Sequence, residues 1–218
     1  MKNLFYFILL AATMALSSCG GGSSKPGATL PSGNIDYQML SNEAELKNVY
    51  EAIQEKLGDA IQYVNEVRIY IRRPSKEETI IREGKPDEFT IQLSCLYLQD
   101  KNKLYEQLYT NEQKWLPGAA KGIRLIAGDA ETFRLEDEMF DLSPLTAETL
   151  SKIVSDAMEK FKDTGKYAYQ YIKNIDIENG IVKVKVYGKL SANDMEKSEY
   201  YYANLTGAQT DSKGRMTK

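Results

Sequence analysis

The chain of 218 residues contains no histidine. That absence removes the Ser-His and Cys-His pairs, the HExxH zinc site and the side chain that ordinarily titrates near neutrality. Nor does a GxSxG elbow, a Walker phosphate loop, an SxxK triplet or a dinucleotide fingerprint occur. An enzyme built on this sequence would have to run on carboxylates, lysine or tyrosine. Catalysis is therefore not expected, and neither is a metal or a cofactor. A basic surplus is missing too, with 28 Lys and Arg against 31 Asp and Glu. Nucleic-acid binders need a strongly basic face, whereas the densest cationic cluster here, Arg68, Arg72 and Arg73, is interrupted by apolar residues. Nucleic acid is thus excluded as an expected partner. Beyond the first eighteen residues, no uncharged apolar run approaches the roughly 20 residues of a membrane-spanning helix.

What is there begins with the amino end. Met1 to Ser18 carries one positive charge at Lys2, no acid, and an apolar stretch from Leu4 to Leu16. This is the layout of a secretory signal, and the stretch is too short to span a bilayer. It closes on Leu16-Ser17-Ser18-Cys19, which resembles the lipobox of bacterial lipoprotein signals. The resemblance implies cleavage before Cys19 and acylation of its thiol. Each buried CH₂ of the added chains contributes about 0.8 kcal/mol to membrane attachment. Residues 1–18 are then the signal peptide, and residues 19–34 the lipidated cysteine with its tether.

Gly20 to Gly33 holds five Gly, three Ser and two Pro, a composition that cannot bury a core and behaves as a flexible coil. A coil of that length spans roughly 20 Å. Gly20-Gly21-Gly22 lacks the acidic residues that mark surface export in the proteins this leader resembles. The implied location is the bacterial cell envelope, lipid-anchored and facing the periplasm. A plain signal peptide with an accidental cysteine is the alternative. Cys95 is the only other cysteine, so an acylated Cys19 leaves no intramolecular disulfide. Cys95 shares an odd-numbered face with Phe89, Ile91, Leu93 and Tyr97, and reads as a core thiol.

Two amphipathic helices are expected. Leu46, Val49, Tyr50, Ile53 and Leu57 recur at helical spacing after Ser41 and Asn42 as candidate caps. Leu150, Ile153, Val154, Ala157, Met158 and Phe161 repeat the pattern, with Thr146 as N-cap, Pro144 upstream and Gly165 beyond the end. A shift of 104 positions lays Leu46 on Leu150, Val49 on Ile153 and Leu57 on Phe161. Each helix precedes three strand-like runs: 67–72, 89–98 and 104–109 in the first half, 169–177, 181–190 and 196–205 in the second. Asn179-Gly180 supplies the positive φ of a type I′ hairpin turn. Gly128-Asp129 reads as a second hairpin, joining 123–126 to 132–135. The predicted fold is α+β: two tandem α-β-β-β units, residues 35–141 and 142–218, forming antiparallel sheet with the helices packed on one face. Element order over residues 41–207 resembles the tandem helix-plus-meander layout of PepSY-like and beta-lactamase-inhibitor-like secreted proteins. That resemblance implies a sheet whose other face is open to partners. Duplication and the chance likeness of two amphipathic helices both fit the repeat.

Valines and isoleucines at 67, 69, 71, 182, 184 and 186 alternate with polar residues, as in a sheet wet on one side. The same phase places Tyr70, Tyr105, Tyr109, Tyr187, Tyr200 and Tyr202 away from the helices, together with Arg68, Arg72, Lys183 and Lys185. Tyr and Arg give large contact area plus hydrogen bonds and could anchor a protein or peptide. Tyr also suits any half-buried strand, and a slip of one residue inverts the assignment. The acids Glu131, Glu136, Asp137, Glu138 and Asp141 match neither a calcium loop nor a recognisable glycosidase pair, and read as a solvated loop. The expectation is a membrane-anchored, non-catalytic binding module for a protein or peptide. A glycan or small-molecule binder and a carboxylate-dependent hydrolase are the alternatives.

Overall fold

The computed structural model describes residues 37–72, 88–96, 104–110, 121–123 and 134–217. The leader, the tether and the Gly128-Asp129 turn lie outside these residues. Helix α1 spans Glu43–Leu57, and Asn42 caps it: the Oδ1 atom accepts from the backbone N of Ala44 at 3.0 Å and of Glu45 at 3.2 Å. Such a side chain satisfies amides that have no partner within the helix. Helix α2 spans Ala147–Phe161 and is capped by the Thr146 hydroxyl, which accepts from Thr149 N at 3.1 Å. Acids stand in both first turns and a lysine in both last turns, the arrangement that complements the helix dipole.

The described residues hold seven strands: β1 Val64–Arg72, β2 Glu88–Leu96, β3 Leu104–Thr110, β4 Lys121–Ile123, β5 Tyr167–Glu178, β6 Ile181–Leu190 and β7 Glu196–Asn204. They form one antiparallel sheet in the order β4-β3-β2-β1-β5-β6-β7. Each helix therefore opens a meander, and the two meanders join where β1 pairs with β5. The fold is α+β, as the element order predicts. The β5–β6 turn carries positive φ at both Asn179 and Gly180. Of the expected strand 132–135 only the last two residues are described, and Leu135 opens a 3-10 turn there, Leu135–Glu138. Leu135 is buried there with Tyr63 and Met139 packed against it.

The core lies between the helices and the sheet. Leu46, Tyr50 and Ile53 of α1 and Leu150, Ile153 and Val154 of α2 share one cluster with Val67, Ile69, Ile175, Ile177, Val182, Val184 and Val186. Tyr50 donates from its hydroxyl to the Leu145 carbonyl at 3.1 Å, fastening α1 to the segment that enters α2. Burial pushes the Tyr50 phenol well above its ordinary range.

Candidate binding face

Strand pairing lays two rows across the face opposite the helices. Arg68, Asp176, Lys183 and Tyr202 stand in register from β1 through β5 and β6 to β7. Tyr70, Asn174, Lys185 and Tyr200 form the second row. Register partners project from the same face, close enough to interact. Asp176 Oδ2 lies 4.0 Å from the Lys183 ammonium of its own row and accepts from Asn174 Nδ2 of the second row at 2.7 Å. The Lys183 ammonium of the first row and the Lys185 ammonium of the second sit 4.9 and 5.5 Å from the Tyr200 ring centroid, within the range of cation–π attraction. Tyr200 is 42 % exposed. Lys183, Lys185 and Tyr202 are half-buried.

A shallow groove of about 420 Å³ opens where the meanders meet, lined by Arg68, Tyr70, Ile71, Lys173, Asn174 and Asp176. Glu66 borders it, ion-paired with Arg68 Nε and in register with Glu178. Burial pushes the Glu66 carboxyl above its ordinary 4.5, Arg68 works against that shift, and Glu178 and Asp176 add to it. The groove thus offers two cations, one carboxylate, one aromatic ring and an amide.

Six of the sequence-predicted residues come together in these rows: Arg68, Tyr70, Lys183, Lys185, Tyr200 and Tyr202. Arg72 keeps the same phase, opposite Glu88; its side chain lies outside the described residues. Tyr187 does not belong to the open surface. It is only 4 % exposed, with its ring 5.2 Å from Tyr171 and the Lys173 ammonium 4.6 Å above it. Tyr37 meets Tyr171 edge-on at 5.2 Å, and Tyr169 stacks on it at 6.3 Å. Four tyrosines therefore seal one another into the core margin.

Tyr105 and Tyr109 are displaced for a different reason. They stand opposite Cys95 and Ile91, which in turn oppose the fully buried Val64 and Ile69. Their register positions belong to the helix side. Tyrosine at every second or fourth position looks alike in either phase, and only the β2–β3 pairing fixes which face it takes. The same register puts Cys95 opposite a core valine, while its side chain lies outside the described residues.

Lys173, Asn174 and Asp176 are groove residues that strand alternation missed. The β5–β6 register shifts between Ile172 and Asn174, and a bulge of that kind inserts one residue and breaks the period of two. No sequence signature announces it. The acidic run is dispersed: Glu136, Asp137 and Glu138 are exposed along the 3-10 turn, and Asp141 accepts from Ser143 N at 2.9 Å. Glu131 lies outside the described residues. Among the described residues, no three of His, Cys, Asp or Glu converge as metal ligands, and no helix is long and apolar enough to cross a membrane. No protein family, curated protein or solved structure matches the chain.

Proposed function

We propose that the chain is a lipoprotein of the bacterial cell envelope, anchored by acylated Cys19, whose open sheet face binds a protein or peptide without catalysis. The observation that carries the binding reading is the pair of transverse rows. They gather Arg68, Tyr70, Lys183, Lys185, Tyr200 and Tyr202 on one surface, and tyrosine and arginine are residue types enriched at protein interfaces. The anchoring reading rests on Leu16-Ser17-Ser18-Cys19 and the Gly- and Ser-rich segment behind it. The glycan alternative needs a ring face free for a sugar. Two ammoniums already lie over the Tyr200 ring, which favours an anionic or polar peptide over a pyranose.

Two measurements test the proposal. Mass spectrometry of the native protein is expected to find an acylated cysteine at the amino end; an intact leader or a bare thiol removes the anchor. Cross-linked partners recovered from envelopes are expected to fall about tenfold when Tyr200 and Tyr202 are both changed to alanine, since interface tyrosines often contribute more than 1 kcal/mol each. Unchanged recovery with an intact fold removes this face.

A further inference from the structure

Strand β7 ends the sheet on one side, and its outer edge is covered along only part of its length. Thr210 N donates to the Tyr202 carbonyl and Asn204 N to the Ala208 carbonyl, each at 2.9 Å and both away from β6. Backbone groups of an antiparallel strand alternate sides, so Ser198 and Tyr200 also direct their N–H and C=O outward. Among the described residues, no backbone group pairs with these two on that side. Native proteins usually blunt such an edge with a bulge, a proline or a covering segment. Here the β6–β7 register runs without a shift, and the strand contains no proline.

The side chains along this edge carry both signs. On the helix side, Lys197 and Glu199 stand two residues apart with 2.9 Å between their charged ends, and 48 % and 32 % of their side chains are exposed. A strand of a single charge gains little along such an edge. A strand that presents lysine and glutamate in the reverse order gains twice, and β7 itself, run antiparallel, is such a strand.

Two identical antiparallel strands are related by a two-fold axis, and few positions for it are permitted. An axis at Tyr200 sets Ser198 against Tyr202, whose carbonyl already accepts from Thr210. An axis at Glu199 sets glutamate against glutamate, and one at Lys197 sets lysine against lysine, pairings that destabilise a sheet. An axis at Ser198 sets Lys197 opposite Glu199 of the partner subunit, on both sides of the axis. Those positions are the closely spaced, non-hydrogen-bonded ones of the new ladder, about 4.5 Å apart at Cα. The same register carries Met195, exposed just before the strand, opposite Tyr201 of the partner subunit.

We propose that the chain forms a two-fold dimer through the outer edge of β7, with the axis at Ser198 and each Lys197 paired to Glu199 of the partner subunit. Ser198 exchanges both of its outward backbone bonds with its counterpart. The proposal goes beyond the partner-binding reading and does not depend on it: two open faces come to lie side by side on one continuous sheet. A contact of about five residues a side is small beside the interfaces of stable dimers, so the test traps it covalently.

The full chain in detergent carries Ser198→Cys and is oxidised with copper phenanthroline, and a non-reducing gel with peptide mass spectrometry reads the product. Counterparts at the axis lie about 5.5 Å apart at Cα, within disulfide reach. A dimer linked through position 198 is expected. Tyr200→Cys, whose counterparts lie roughly 14 Å apart in this register, is expected to yield at least about tenfold less. Adding Lys197→Glu or Glu199→Lys to Ser198→Cys sets like charges opposite each other twice, and each is expected to lower the yield about tenfold. Mixing the two charge variants is expected to restore it, because each then meets its complement. That rescue separates pairing across the axis from damage to the fold. No link at position 198, or equal links from 198 and 200, overturns the proposal. Yields that ignore both charge reversals overturn it as well. Where Ser198→Cys lowers the melting temperature, sedimentation of the chain without that cysteine carries the same contrast: a dimer lost in either charge variant and regained in their mixture supports the proposal, and a monomer throughout overturns it. Neither result bears on partner capture by the open face.

Discussion

Tyr187 and Tyr200 lie on neighbouring strands, both in phase with the polar side of β6 and β7, yet one is 4 % exposed and the other 42 %. Alternation assigns both to the same face and says nothing about what else arrives there. At Tyr187 the Tyr171 ring packs against the side chain, itself flanked by Tyr169 and Tyr37, and the Lys173 ammonium lies over the ring. At Tyr200 the Lys183 and Lys185 ammoniums lie beside the ring, and no ring contact to it occurs among the described residues. A face of a sheet is thus two surfaces, one closed by packing and one open, and the boundary falls along β6 between Lys185 and Tyr187.

The sharpest way to break this contrast is truncation at both sites. Tyr187→Ala is expected to cost about 3 kcal/mol, the scale of removing a large buried aromatic. Tyr200→Ala is expected to change stability by about 0.5 kcal/mol or less. Urea unfolding of the two variants decides it; equal losses would dissolve the distinction. Gly188→Ala probes the packing beside the cluster, because a Cβ there would meet Tyr167 Cδ1 at 2.6 Å and Gln170 Cγ at 3.1 Å. Overpacking of that kind costs about 1–3 kcal/mol, visible as a lower melting temperature. Tyr50→Phe removes the hydroxyl bond to Leu145 and is expected to cost roughly 1 kcal/mol. The smallest effect is electrostatic and sits in the open groove. Glu66 has a raised carboxyl pKa, so the folded state holds its proton more tightly than the unfolded chain does. Its contribution to stability is present below the ordinary 4.5 and is lost as pH rises through the folded value. Glu66→Gln should therefore gain on the wild type as pH rises from acid toward neutrality. Denaturant midpoints at stepped pH would show the gap widening; a gap that narrows reverses the sign.

Much of the architecture was legible in the sequence, because helices and half-wet strands write their periods into it. The stripes of α1 and α2, both N-caps, the Asn179-Gly180 turn and the order of the two meanders follow from spacing and cap chemistry. The face was legible where strands run straight, at Arg68, Tyr70, Lys183, Lys185, Tyr200 and Tyr202. It was illegible at Tyr105 and Tyr109, where only pairing with β2 sets the phase. It was illegible again at Lys173 and Asn174, where a bulge inserts a residue, and at Tyr187, which is covered by Tyr171, a ring that Tyr37 from far upstream packs against. Register, bulges and distant contacts are properties of the folded chain, and a local pattern does not carry them.

The most direct test of the open surface is photo-crosslinking in the native envelope. A benzophenone side chain would replace Tyr200 or Lys185 in one set of variants, and Glu159 on α2 in another. Adducts to a common partner from positions 185 and 200, with none from 159, are the expected result. Adducts from position 159 with silence at 185 and 200 would put the binding surface on the helices and contradict the assignment of this face.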